Sequence, residues 1–142
     1  MSLTRRSSIP LDNWVIVDTT VWIEYFRKGK GPLCDLLDEL LEQQNAAICR
    51  MIELEILQAL KSNEQKLVRH LFSALRFIET DPQDFIHAGE KLCKLREKGI
   101  TIPSSDGLIG ALCIGRNIPI LTLDTHFNRV SELKKISLKN VN

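Results

Sequence analysis

Residues 14–26, WVIVDTTVWIEYF, decide the fold of this chain. The first four form a continuous apolar run without polar alternation, which is typical of a short strand that is buried on both faces. The run ends at Asp18, and residues 19–26 have the composition of a short helix that Thr19 or Thr20 would cap. A buried strand that leads through an acidic residue into a helix predicts the first unit of an α/β protein.

Short apolar runs continue to alternate with helical periods along the rest of the chain. Further strands are predicted at 46–49, 76–78, 118–122 and 136–138, and further helices at 33–41, 51–60, 67–75, 82–98 and 106–115, the last capped by Ser104 or Ser105. Strands that alternate with helices favour right-handed crossovers, and therefore a parallel sheet with helices on both faces. Ligands of such sheets bind beyond the carboxyl ends of the strands, where the strand order reverses.

The composition fits one folded domain. The chain has 142 residues, of which 44% are hydrophobic and 26% are charged, and its net charge is +1. This balance excludes a disordered chain and a nucleic-acid binder that depends on bulk positive charge. We predict an N-terminal extension over residues 1–13 and one domain over residues 14–142.

The spacing of the cysteines and the length of the apolar runs indicate the cellular compartment of the protein. None of the four cysteines has the paired spacing of a zinc site, which favours free thiols in a reducing compartment. No apolar run reaches the roughly 18 residues of a membrane span, and the first residues lack the apolar region of a secretory signal. We therefore expect a cytoplasmic protein with no membrane contact.

Four carboxylate residues are far apart in sequence but are predicted to meet at one edge of the sheet. Asp18 ends the first buried strand, and Asp124 follows the predicted strand at 118–122. Asp106 begins a helix, and Glu55 lies early in the helix after the second strand. Because strand ends and helix starts lie at the same edge of such a sheet, we expect these side chains to share one cleft.

Clustered carboxylates predict a metal site. Like charges in a dry cleft repel one another, and a divalent cation removes that conflict. Mg²⁺ prefers oxygen ligands and keeps several waters, so a few carboxylates are sufficient. One or two such ions can activate water and stabilise charge on a phosphate, which favours phosphodiester hydrolysis. Each residue alone has an ordinary interpretation as a cap, a loop residue or a solvated glutamate, so the prediction depends on all four together.

Three segments resemble the PIN-domain family, and especially the VapC-type toxins within it. Residues 15–26, VIVDTTVWIEYF, are similar to the family's opening strand, acidic residue, hydroxyl pair and apolar-aromatic helix. Residues 53–60, ELEILQAL, are similar to its second motif, and residues 94–127 resemble its third and fourth motifs in order and spacing. The resemblance implies a three-layer α/β/α sandwich around a parallel sheet of four or five strands. It also implies a metal-dependent endoribonuclease with Mg²⁺ or Mn²⁺ as cofactor.

The resemblance assigns roles to individual residues. The family's acidic metal-site positions are matched by Asp18, Glu55, Asp106 and Asp124. Thr20 matches a hydroxyl residue that supports the site, and the apolar and small residues after Glu55 favour it over Glu53 as the helical acid. His126 stands where the family often has another acid, so it could bind metal, orient a phosphate or only lie at the rim.

The resemblance also implies partners. It implies a homodimer and a small antitoxin protein that wraps the toxin and blocks the metal site. The candidate RNA contacts are Arg27, Lys28, Lys30 and Arg116, which equally fit a solvated surface. Trp22 and Tyr25 could stack on a base or pack in the core.

Other functions stay open at the level of sequence. A housekeeping PIN nuclease that matures RNA would use the same chemistry without an antitoxin. A binding module would keep the fold and hold RNA or protein without cleavage, although the intact acidic set argues against it. A phosphoacceptor signalling domain usually needs paired acids after the first strand, whereas Asp18 is preceded by apolar residues.

Overall fold

The computed structural model describes residues 13–136 of the chain. Its strands are β1 Val15–Val17, β2 Ala46–Ile48, β3 Arg76–Phe77 and β4 Ile120–Leu121. Its helices are α1 Thr19–Lys28, α2 Pro32–Glu42, α3 Arg50–Ala59, α4 Ser62–Ser73, α5 Pro82–Glu97 and α6 Ser104–Gly115, and a 3-10 helix follows at Thr125–Arg129. The predicted alternation of strands and helices is therefore confirmed.

The four strands form one parallel sheet in the order β3-β2-β1-β4. In the central strand β1, Ile16 pairs with Ala47 on one side and with Ile120 on the other. All three residues of β1 are buried, which explains why this strand is apolar throughout. Helices cover both faces of the sheet, so the predicted three-layer α/β/α architecture is confirmed.

An aromatic cluster fixes α1 against the sheet. Trp22 is fully buried, with its ring centroid 5.2 Å from that of Phe72 and 5.9 Å from that of Phe26. Its indole N–H donates to the backbone carbonyl of Val17 at 3.0 Å, which satisfies the buried donor. Trp22 is therefore a core residue that is not exposed for stacking on RNA, and half-buried Tyr25 packs edge-on against it.

The caps of two helices differ from the sequence prediction, and α4 begins at Ser62 rather than at residue 67. Asp18 occupies the capping position of α1, so the helix already includes the two threonines that were expected as caps. Pro103 occupies that position in α6, and the two serines lie inside the first turn. Pro103 suits this place because its backbone, with φ −59° and ψ 148°, is extended immediately before the helix.

Other boundaries agree with the turn and cap signals. Asp81 caps α5 by accepting hydrogen bonds from backbone N–H groups of the first turn, and Gly99 follows the helix with φ +81°. α1 continues two residues beyond its predicted end at residue 26, to Lys28, and is followed by Gly29 with φ +71°. A glycine is favoured there because side chains disfavour positive φ.

The ends of the chain are described only in part. Of the predicted edge strand at 136–138, only Ile136 is described; its backbone N–H donates to the carbonyl of Ile120 at 2.9 Å, next to a parallel bridge between Lys135 and Ile120. Residues 137 and 138 lie outside the described residues, as does the predicted N-terminal extension apart from Asn13. Between residues 13 and 136, no helix combines the length and the apolar character that crossing a membrane requires.

Candidate metal centre

The strand order reverses between β1 and β4. The chain runs outward from β1 through β2 to β3, and β4 then returns to the other side of β1. Asp18 directly follows β1, Asp124 follows β4 after two residues, and Asp106 lies in the first turn of α6. The fold therefore brings three carboxylates to the edge where ligands of such sheets bind.

Asp18 is the most deeply buried of the four predicted acids, with 3% of its surface exposed. Its Oδ2 accepts hydrogen bonds from the hydroxyl groups of Thr20 at 2.9 Å and Thr122 at 2.7 Å. Burial raises the pKa of Asp18 more than these hydrogen bonds lower it, and the negative charge of Asp124 raises it further. A cation next to Asp18 would stabilise its ionised form.

Two threonine hydroxyls join the ends of β1 and β4. Besides donating to Asp18, Thr20 accepts a hydrogen bond from the backbone N–H of Leu123 at 3.0 Å. Thr122 likewise accepts from the backbone N–H of Asp124 at 2.9 Å. Each hydroxyl thus holds Asp18 and the loop that carries Asp124 together. Sequence similarity pointed to Thr20 but not to Thr122, whose only signal is its position two residues before a predicted ligand.

Asp106, Asp124 and His126 form a compact group, with ligand atoms within 4.8 Å of one another. Nδ1 of His126 lies 3.1 Å from Oδ2 of Asp106 and 3.0 Å from Oδ1 of Asp124. Burial is the main cause that raises the pKa of Asp106 to about 6, and repulsion from Asp124 is the next. The charges of these carboxylates therefore act on one another, although they come from different elements.

Glu55 reaches the site through Thr19, whereas Glu53 does not. Thr19 directly follows Asp18 in the chain, and its hydroxyl donates to Oε1 of Glu55 at 2.7 Å. Glu53 lies on another side of α3 and pairs with Arg50 at 3.2 Å. Glu55 is therefore the glutamate that faces the cleft, but it stands outside the compact group formed by Asp106, Asp124 and His126.

The donor set fits a divalent cation. In the described part of the chain, no lysine or arginine forms an ion pair with Asp18, Asp106 or Asp124. The cleft thus holds mutually repelling carboxylates, and among the described basic side chains only the imidazole of His126 lies beside two of them, Asp106 and Asp124. Oxygen-rich sites with excess negative charge suit hard divalent ions such as Mg²⁺ and Mn²⁺.

Arg116 does not lie at this cleft. It follows the carboxyl end of α6, about 15 Å along the helix from Asp106 at 1.5 Å per residue. Its guanidinium donates to both carboxylate oxygens of the buried Asp84, at 2.7 and 2.9 Å, and to the backbone carbonyl of Glu79 at 2.8 Å. The structure therefore engages Arg116 in an ion pair between α5 and α6 rather than beside the acids.

The other predicted RNA contacts also lie away from the acids. Arg27 and Lys28 are exposed in the last turn of α1, about 14 to 15 Å along that helix from Asp18, and exposed Lys30 follows beyond Gly29. Lys28 pairs with Glu24 at 2.6 Å. Arg27, Lys28 and Lys30 are therefore not adjacent to the acidic cleft.

Comparison with known proteins agrees with this architecture. A family model described as the PIN domain matches residues 15–133. The VapC ribonuclease Mb1587 of Mycobacterium bovis is 30% identical over 127 residues, which cover 86% of this chain and 95% of the relative. Ribonuclease VapC1 of Methanocaldococcus jannaschii is 28% identical over 120 residues, which cover 83% of this chain and 82% of the relative.

Solved structures share the fold at lower identity. DNA-bound VapBC from Salmonella typhimurium has a TM-score of 0.75 at 20% identity and covers 89% of this chain and 98% of that chain. VapBC2 from Rickettsia felis, bound to a DNA fragment from its promoter, has a TM-score of 0.72 at 22% identity, with 86% and 96% covered. At these identities the likeness establishes the fold.

Proposed function

Because the chain belongs to the PIN-domain family, we propose that it is a divalent-metal-dependent endoribonuclease and the toxin of a toxin–antitoxin pair. The observation that carries this proposal is the convergence of Asp18, Asp106 and Asp124 in one cleft, where burial and mutual repulsion raise the pKa of two of them. Its relatives in Mycobacterium bovis and Methanocaldococcus jannaschii are named ribonucleases.

Each residue of the cleft has a proposed role. Asp18, Asp106 and Asp124 hold Mg²⁺ or Mn²⁺, with Glu55 contributing from α3. Thr20 and Thr122 orient the Asp18 carboxylate through hydrogen bonds to its Oδ2. When bound, the ion stabilises negative charge on the phosphate and acidifies the attacking water. In the reaction, a water oxygen bonds to phosphorus while the bond from phosphorus to the leaving ribose oxygen breaks, and that oxygen gains a proton.

The basic residues would bind the RNA at positions that are distant from the cleaved bond. Arg27 and Lys28 lie about 14 to 15 Å along α1 from Asp18, and Lys30 lies beyond the end of that helix, so all three would contact phosphates of flanking nucleotides. We assign Arg116 a structural role because its guanidinium donates hydrogen bonds to both carboxylate oxygens of Asp84. Substitution of Arg27 and Lys30 is expected to weaken RNA binding without changing the position of the cut.

The proposed partners are a second copy of the chain and a small antitoxin that covers the metal cleft. Solved proteins of similar fold include VapBC2 from Rickettsia felis and VapBC from Salmonella typhimurium, both bound to DNA. We propose that this chain likewise forms a homodimer in the cytoplasm and is inhibited there by an antitoxin. A small gene directly upstream whose product binds the chain and stops cleavage would support this assignment.

Cleavage of total RNA with mapped ends tests the activity. Wild type is expected to cut at defined positions with Mg²⁺ or Mn²⁺ and to stop in EDTA, because the ion would acidify the attacking water and stabilise charge on the phosphate. Asp18→Asn is expected to lose at least about 100-fold in rate, while Asp35→Asn, an exposed acid on α2, retains full rate. Circular dichroism confirms that both variants are folded.

RNA cleavage, metal binding and growth arrest, measured together, separate the alternatives. Equal cleavage by wild type and Asp18→Asn would contradict the assignment of the site. Metal binding without any RNA cleavage would favour a binding module with the PIN fold. Metal-dependent cleavage without growth arrest on expression would favour a housekeeping nuclease over a toxin.

A further inference from the structure

His126 brings a nitrogen atom into a site that is otherwise made of carboxylates. Its Nδ1, rather than a carboxylate oxygen, is the ligand atom that stands beside Asp106 and Asp124. The backbone N–H of the same residue donates to Oδ1 of Asp124 at 2.9 Å. His126 therefore positions one carboxylate through its backbone while its ring shares the same space.

The spacing of these atoms fits a shared ion. Neighbouring ligands of an octahedral ion with bonds of about 2.1 Å are about 3.0 Å apart, which is 2.1 Å multiplied by the square root of two. Nδ1 of His126 lies 3.1 Å from the Asp106 oxygen and 3.0 Å from the Asp124 oxygen. Both separations match two edges of such an octahedron, so one ion can contact all three atoms without a large movement of the side chains.

The imidazole can act as a ligand in its neutral form. A neutral ring carries one N–H and one lone pair, and the two nitrogens exchange these roles between tautomers. The His126 side chain is 48% exposed, so water can accept a hydrogen bond from the ring nitrogen that carries the proton. Without an ion, the tautomer with the proton on Nδ1 donates to Oδ2 of Asp106 at 3.1 Å. With an ion bound, the ring would take the other tautomer, with the proton on Nε2 and the lone pair of Nδ1 directed at the ion.

Nitrogen ligation changes which metal the site prefers. Carboxylates suit Mg²⁺ and Mn²⁺ alike, whereas imidazole favours transition-metal ions over Mg²⁺. A neutral imidazole in place of a fifth carboxylate also removes one negative charge from the site. Because the hard Mg²⁺ ion is bound mainly through negatively charged oxygen ligands, this loss weakens its binding. We propose that His126 is a metal ligand and that it shifts the preference of this site from Mg²⁺ toward Mn²⁺. This inference rests on the proposed function, because it takes the same cleft to be the metal site.

Calorimetric titration of the full chain with Mg²⁺ and with Mn²⁺ tests the preference. In wild type the ratio of the Kd for Mg²⁺ to the Kd for Mn²⁺ is expected to be at least about 10-fold higher than in His126→Asp, which restores an oxygen ligand. The matched control is His70→Gln, an exposed histidine at the end of α4, which should keep the wild-type ratio.

Pulsed electron paramagnetic resonance of bound Mn²⁺ tests the bond itself. Wild type and His70→Gln should both show coupling of the metal to a ¹⁴N nucleus, and His126→Asp should lose it. Mn²⁺ binding without ¹⁴N coupling and with an unchanged Kd ratio in His126→Asp would overturn the proposal and leave the nuclease assignment intact. Absence of Mg²⁺ and Mn²⁺ binding in wild type would instead contradict the proposed function as well.

Discussion

Asp106 combines two properties that oppose folding at neutral pH. Only 6% of the residue is exposed, and the nearby charge of Asp124 repels its own. Together they raise its pKa from 3.8 to about 6. Because the folded protein binds this proton more tightly than the unfolded chain, the resulting stabilisation is complete below pH 4 and is lost as the pH rises through 6.

Substitution of Asp106 by Asn should therefore stabilise the metal-free protein at neutral pH. We expect a gain of about 1–2 kcal/mol, a few degrees in Tm, at pH 7.5 in EDTA, because solvent in the open cleft screens part of the repulsion. The gain should shrink at pH 4.5, where wild-type Asp106 is mostly protonated. Thermal melts of both proteins across this pH range check it, and a lower Tm for the variant at pH 7.5 would contradict the electrostatic interpretation.

Thr122→Val should weaken metal binding without disturbing the fold. The valine keeps the shape of the side chain but removes the hydroxyl that donates to Asp18 and accepts from the backbone of Asp124. Loss of such supporting hydrogen bonds typically reduces metal affinity about 10- to 100-fold. Calorimetry with Mn²⁺ measures the change, and the exposed Thr101→Val serves as the control. An unchanged Kd would show that Thr122 does not position Asp18.

At the scale of elements, the packing of α5 against α6 holds the helix start that carries Asp106. A Cβ atom added at Gly107 would lie 2.7 Å from Cγ of Leu92, whereas one added at Gly110 meets nothing within 4 Å. Gly107→Ala should therefore destabilise the protein by about 1–3 kcal/mol through overpacking. Gly110→Ala on the same helix should be neutral or stabilising by up to about 1 kcal/mol, because alanine favours helix. Equal denaturation midpoints for the two variants would contradict this packing.

The ion pair between Asp84 and Arg116 stabilises the other end of the same helix pair. Arg116 holds the pKa of Asp84 below its usual value, so this stabilisation is present above pH 4 and is lost as the pH falls through the lowered pKa. Asp84→Asn should lower the free energy of unfolding by about 1–3 kcal/mol at pH 7. Cleavage per folded molecule should stay unchanged, and the exposed Glu90→Gln provides the control. A tenfold loss of that cleavage rate would contradict a purely structural role.

These elements also show what the sequence could predict. Apolar runs such as 15–17 and the cap and glycine of α5 act locally, so their strands and helices could be predicted from pattern alone. The contact of Thr122 with Asp18 spans 104 positions and depends on two strands lying side by side, which no local pattern contains. Arg116 has the same sequence signature as a surface cation, and only its partner Asp84 shows that it is structural.

At the scale of the whole molecule, the site exists only in the folded chain. Asp18, Asp106 and Asp124 come from the ends of two strands and the start of one helix. An ion that binds all three should therefore stabilise the fold, by about 2.7 kcal/mol at 100 times its Kd. Thermal melts with and without Mn²⁺ should show this shift in wild type and in Asp35→Asn, but not in Asp18→Asn. An equal shift in all three would place the ion elsewhere.

Anomalous diffraction from crystals of the protein soaked in Mn²⁺ locates the ion directly. A strong anomalous peak is expected in the cleft, in contact with carboxylate oxygens of Asp18, Asp106 and Asp124 and absent from crystals of Asp18→Asn. Full occupancy of Mn²⁺ elsewhere with no peak between these three carboxylates would contradict the account.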